Sequence, residues 1–130
     1  MIRVLAGAVL AAGMAGAWAA GAAGAVEASP PSLDTGADLL RYCDGSALDD
    51  VLVEQDRTFC DGFIAGTGLL YLELVRAKAI EPWACAETEP TLSQAREAFV
   101  AWARGHPQEL AGKPVDVFWR AMADTYPCGS

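Results

Sequence analysis

Positive charge is scarce in this 130-residue chain: nine Lys and Arg stand against seventeen Asp and Glu, His106 is the single histidine, and the formal net charge is −8. An acidic surface of that size repels nucleic acid and anionic lipid and draws a basic protein partner. No basic patch interleaved with aromatics occurs. G-x-S-x-G, H-E-x-x-H and a glycine-rich phosphate loop preceded by a strand are also missing, which removes the common hydrolase, zinc-protease and nucleotide-binding signatures. There is no C-x-x-C, so neither a close-paired zinc site nor haem attachment through C-x-x-C-H is encoded. Asp49-Asp50 and Glu87-x-Glu89 read as solvated acids, and His106, within Gly105-His106-Pro107, as a turn residue. Nothing assembles a nucleophile, a base and an electrophilic stabiliser. The expectation is a binding protein rather than an enzyme, with no cofactor and no metal.

What is abundant comes first in the chain. Arg3 is the only charge before a run from Val4 to Val26 made almost wholly of Ala, Gly, Val and Leu. A short positive region followed by an apolar one reads as a cleavable signal peptide over residues 1–25. Ala23-Gly24-Ala25 offers one cleavage site and Val26-Glu27-Ala28 another. The competing reading is an uncleaved anchor, since roughly 20 apolar residues span a bilayer; alanine and glycine make weak membrane spans. No second apolar stretch of comparable length is expected, and the mature protein should make no stable membrane insertion. Loss of Arg3 with the signal takes the net charge to −9. Residues 26–33, with Ser29-Pro30-Pro31-Ser32, form a tether, because proline lacks an amide proton and restricts its predecessor. Residues 34–130 are left as one domain, in the size range where disulfides are recruited to support a modest core.

That domain reads as all-α, with about four main helices. Thr35 caps the first, over Gly36 to Asp44, with Asp38 near its positive end and Leu39, Leu40 and Cys43 on one face. A longer helix begins near Val51 or Glu54 and carries Phe59, Phe63, Gly66 or Thr67, Leu70, Leu74 and Ala77 at alternating steps of three and four, until Pro82 forbids more. Gly62, Gly66 and Gly68 lie inside it, each costing about 1 kcal/mol against alanine. Close packing of a neighbouring helix is the simpler compensation, and a kink that shapes a binding surface the sharper one. Residues 80–89 show no periodicity and form a loop. Thr91 and Gln94 make a capping box for a third helix with Leu92, Ala95, Phe99 and Trp102 on its stripe. A single turn over Gln108 to Ala111 precedes the last helix, which Pro114 opens and Val115, Phe118 or Trp119, and Met122 line. These apolar stripes read as core.

Behind a signal peptide, Cys43, Cys60, Cys85 and Cys128 should be oxidised. Four cysteines allow three pairings, and helix geometry weighs them. The third and fourth helices, joined by a short connection, run antiparallel, so Cys85 before one meets Cys128 after the other. Cys43 and Cys60 flank one loop. The expected bridges are Cys43–Cys60 and Cys85–Cys128, giving a small disulfide-stapled bundle.

Laid out with its cysteines, the chain resembles the Rap/Tai family of immunity proteins. The matching pieces are Gly36-x-x-Leu39-Leu40-x-x-Cys43-x-x-Ser46, Cys60-x-Gly62-Phe63-Ile64-x-Gly66, Cys85 followed by Thr91-x-x-Gln94, His106-Pro107, and Tyr126-Pro127-Cys128. The resemblance implies a periplasmic, helical, disulfide-bonded protein of type VI secretion systems. Such a protein binds a cognate peptidoglycan-cleaving amidase toxin and blocks its catalytic cleft, often as a homodimer. Two departures concern the toxin-facing surface: Ala86-Glu87-Thr88-Glu89-Pro90 lacks the family's proline soon after Cys85, and Gly66-Thr67-Gly68 replaces a branched or acidic continuation. The shared residues are structural. Contact residues are instead expected in the acidic loop, where Glu81, Glu87 and Glu89 surround Trp83, since tryptophan often anchors interfaces and acids speed encounter with a basic partner. The plainer reading folds Trp83 onto the core. A second function, a periplasmic acid-stress chaperone of the HdeA type, would use carboxylate protonation to loosen the domain and expose apolar surface; an envelope protein of the same scaffold without a toxin partner is a third.

Overall fold

The computed structural model describes residues 32–129. The expected signal peptide, its candidate cleavage sites and most of the expected tether lie outside the described residues. Four α-helices and one 3-10 turn follow in order: α1 (Gly36–Cys43), α2 (Asp50–Arg76), α3 (Leu92–Gly105), the turn Pro107–Glu109, and α4 (Pro114–Thr125). The domain is all-α, as the patterning requires.

Each start has a local cause. At α1 the Thr35 amide donates to Asp38 Oδ2 at 2.9 Å while the Asp38 amide donates to Thr35 Oγ1 at 3.3 Å, a complete capping box. The Thr35 hydroxyl also donates to the Asp38 carboxylate; these hydrogen bonds, the hydroxyl's foremost, hold that carboxyl below its ordinary pKa. Asp49 caps α2 by accepting from the Val51 amide at 2.7 Å. Thr91 and Gln94 close the second capping box, at α3. Pro114 opens α4 at a position whose missing N–H costs no helical bond. At the far end of α2, Lys78 takes a positive φ of 56° and the chain turns away.

The core is a small apolar cluster. Leu39, Phe99 and Phe118 are fully enclosed, and Cys60, Ile64, Ala103, Ala121 and Met122 complete its centre. Aromatic edges interlock there, Phe118 meeting Phe63 at 5.9 Å in a T-shaped pair and Phe99 at 5.8 Å. Both bridges form as the helix geometry predicts, Cys43–Cys60 with Cα atoms 5.2 Å apart and Cys85–Cys128 with 4.7 Å. The first ties α1 to α2 inside the core. The second ties the 80–89 loop to the tail after α4. At α1 the backbone also closes on the α3–α4 connection: Gly36 N donates to the Gly112 carbonyl at 2.9 Å and Ala37 N to that of Leu110 at 3.0 Å. Two amide donors of the first turn, which no intrahelical acceptor reaches, are thereby satisfied.

Four expectations are corrected. The inward face of α2 is Cys60, Ile64 and Tyr71 rather than the stripe through Leu70 and Ala77; Phe59 and Phe63 flank the core, while Leu70 is 61% exposed. In α3 and α4, Leu92 and Val115 likewise lie outside the core, which takes Ala103 and Val117 instead. Close helix packing does not explain Gly62, Gly66 or Gly68, since a Cβ at any of them would meet nothing within 4 Å. The close approach is at Gly36, where a Cβ would stand 2.8 Å from the Val117 side chain. Finally, α2 is long and apolar enough by length and composition to cross a bilayer, with mean hydropathy 1.3 over its most apolar part. A continuous-run criterion misses it because Asp61 and Glu73 interrupt the sequence. Only 17% of that part is buried. At about 40 Å for 27 residues, α2 is the longest of the described helices, and much of its apolar surface is uncovered.

Candidate partner-binding surface

The loop between α2 and α3 is held by three fastenings. Cys85 is bridged to Cys128, and its amide donates to the Tyr126 carbonyl at 2.8 Å. The third is Tyr71, which the α2 register turns inward beneath the loop. Its hydroxyl accepts from the amides of Trp83 at 2.9 Å and Ala84 at 3.2 Å and donates to the Ala84 carbonyl at 3.1 Å. A two-way polar atom thus satisfies three backbone groups of an irregular segment.

Trp83 sits between its two predicted placements. The indole is 47% exposed, yet its ring centroid lies 5.6 Å from Tyr71 and 6.0 Å from Trp119, which themselves approach to 4.2 Å. It leans on Tyr71 at a tilt and meets Trp119 edge to face, while about half of the residue stays open to solvent. Glu81, Glu87 and Glu89 are exposed, and among the described residues no cation comes within ion-pair distance of them. Among the described residues the arginines are paired elsewhere, Arg96 with Asp61 across α2 and α3, Arg120 with Glu109, and Arg41 with Asp56, or on one helix, Arg57 with Glu54 and Arg76 with Glu73; the exception is Arg104, for which no partner occurs.

Beside this loop runs a groove of about 450 Å³ between the outer half of α2, residues 84–90, the start of α3 and α4. Leu69 and Leu72 form one wall, Leu92 another, and Trp119 and Met122 the floor. Glu89 is the one charged residue that lines it. The lining is mainly apolar, and among the described residues no buried side-chain polar atom is left unpartnered to call for a polar ligand. A wider depression lies along the first turns of α2, but Asp50, Val51, Glu54, Gln55, Thr58 and Phe59 all belong to that helix and nothing faces them.

His106 does structural work at the end of α3. Its ring stacks on Trp102 with centroids 4.3 Å apart, and Nδ1 lies 2.8 Å from the Trp102 carbonyl oxygen. All four cysteines are spent in bridges, which leaves no thiolate to serve as nucleophile or ligand in this oxidised state.

Sequence reasoning missed Tyr71 and both leucine walls. The signal for Tyr71 was available: a Cys60 that faces α1 carries Ile64 and Tyr71, four and eleven residues on, to the same side.

These features define an all-α, disulfide-stapled domain whose distinctive surface is a fastened acidic loop with a propped tryptophan and an apolar groove beside it: a scaffold for binding. The sequence matches the Rap1a immunity proteins over residues 35–128, and the chain belongs to that family. Searches of curated proteins and of solved structures returned no match.

Proposed function

We propose that this immunity protein binds a peptidoglycan-cleaving amidase toxin of a type VI secretion system in the periplasm and occludes its catalytic cleft with the 80–89 loop. The family supports the immunity role. What carries the choice of surface is Trp83, half open to solvent on a base of Tyr71 and Trp119, with Glu81, Glu87 and Glu89 unpaired around it. A rigid aromatic knob loses little conformational freedom on docking. Uncompensated carboxylates speed encounter with a basic cleft rim. Residues 1–25 act in this reading as the export signal and residues 26–33 as a tether. Neither a cofactor nor chemistry of its own is needed, and α2 stays with the bundle, held by the Cys43–Cys60 bridge and the Asp61–Arg96 pair, rather than entering the membrane. A homodimer would form on the uncovered leucines of α2 that lie outside the groove, Leu52 and Leu70.

The deciding experiment expresses a periplasm-directed amidase from the neighbouring locus in cells with and without this protein. Protection by the wild type, weakened in Trp83→Ala and in the triple Glu81, Glu87, Glu89→Gln variant while their melting curves stay close to wild type, is the expected result. Equal protection by both variants removes the loop from the contact. Suppression of aggregation of unrelated proteins near pH 3, without protection, would mark an acid-stress chaperone instead.

A further inference from the structure

Resting on that reading of the surface, we propose that the groove beside the loop receives a segment of the partner that presents an apolar side chain flanked by lysine or arginine. Its volume of about 450 Å³ falls within the range of sites that enclose a small ligand or a few side chains. Three helices and the loop enclose it, with Leu69 66%, Leu72 45% and Leu92 44% exposed along its lips. Those leucines and the paired polar atoms below them select for an apolar occupant.

Charge selects which one. Glu89 lines the groove, Glu81 and Glu87 stand on the same loop, and the lining contains no lysine, arginine or histidine. A fatty acid or an anionic lipid would bring a negative head to that rim. A second copy of this chain, with the export signal removed, would bring its own net charge of −9. A cationic peptide flank instead neutralises carboxylates that have no other partner among the described residues. The toxin would thus be gripped at two adjoining points, Trp83 reaching outward into it and the groove taking a part of it in.

The test titrates the purified, disulfide-intact protein with a fluorescent short peptide of leucine and lysine, against a serine–lysine and a leucine–glutamate counterpart. Saturable binding of one leucine–lysine peptide per chain is expected, weakened about tenfold or more by either change of the probe. Leu69→Gln and Leu92→Gln should weaken it similarly, their exposure leaving the melting curve intact, and Glu89→Gln should reduce both affinity and its salt dependence. Equal binding of the serine–lysine peptide would show charge adherence alone, and displacement of the leucine–lysine peptide by palmitate would show a lipid site. A dimer that shields Leu69 and Leu92 would assign the groove to a second copy. Each of these overturns the proposal. In the protection assay, wild-type failure refutes the amidase reading; full protection by Leu69→Gln and Leu92→Gln leaves that reading standing and refutes the groove.

Discussion

The Tyr71 hydroxyl lies 2.9 Å from the Trp83 amide nitrogen that donates to it, so the residue that supports the exposed indole from below also fixes its backbone. Tyr71→Phe keeps the ring and removes the acceptor, stranding the Trp83 and Ala84 amides in a part-buried setting. A loss of about 1–3 kcal/mol of stability is expected, readable by urea unfolding. Faster hydrogen exchange confined to residues 83–84 distinguishes this cause from general loosening.

Glycine replacements should divide by environment. Gly62→Ala and Gly66→Ala meet open space in a helix interior, and each should stabilise by about 0.5–1 kcal/mol. Gly36→Ala drives its methyl against Val117 and should destabilise by about 1–3 kcal/mol. Chemical denaturation of the three variants checks both signs.

The two bridges differ in access. Cys43 and Cys60 are 6% and 0% exposed, whereas Cys85 and Cys128 both lie at the surface. A mild reductant without denaturant should open Cys85–Cys128 first, as mass spectrometry after thiol labelling would record. The chain-entropy relation gives about 3 kcal/mol for the 17-residue separation and about 4 for the 43-residue one. Early reduction should therefore lower the melting temperature while α1 and α2 stay joined.

Asp38 supplies an acid-sensitive contribution. Its folded-state pKa lies below the ordinary value of 3.8, first through the Thr35 hydroxyl, so the stability it confers is complete above that value and fades as pH falls through the folded pKa. Asp38→Ala should be less stable than wild type at neutral pH, with the gap closing below about pH 3.8. Unfolding curves at several pH values measure it.

Local chemistry made much of this fold legible. Thr35 with Asp38, Thr91 with Gln94, and Pro114 announce three helix starts through donors and rings that act within one turn. The bridges were readable because a short connection forces α3 and α4 antiparallel. Hydropathy misleads on the register of α2, because Phe59–Phe63–Leu70–Leu74 and Cys60–Ile64–Tyr71 are both helix-periodic and it ranks the first stripe higher; the sulfur link expected from Cys60 to α1 is the signal that decides for the second. The loop's acids and Trp83 could be named from composition. The groove could not, since Leu69, Leu92 and Met122 come from three helices and meet through packing alone.

The bonds from Gly36 and Ala37 to the carbonyls of Gly112 and Leu110 make the domain a closed circuit. A chain emerging amino end first, from a ribosome or through a translocation pore, holds its opening helix uncapped by those acceptors until more than seventy further residues have appeared. No half-length product can settle into the native arrangement. Folding must wait for near-complete emergence, which keeps the polypeptide threadable for as long as threading lasts.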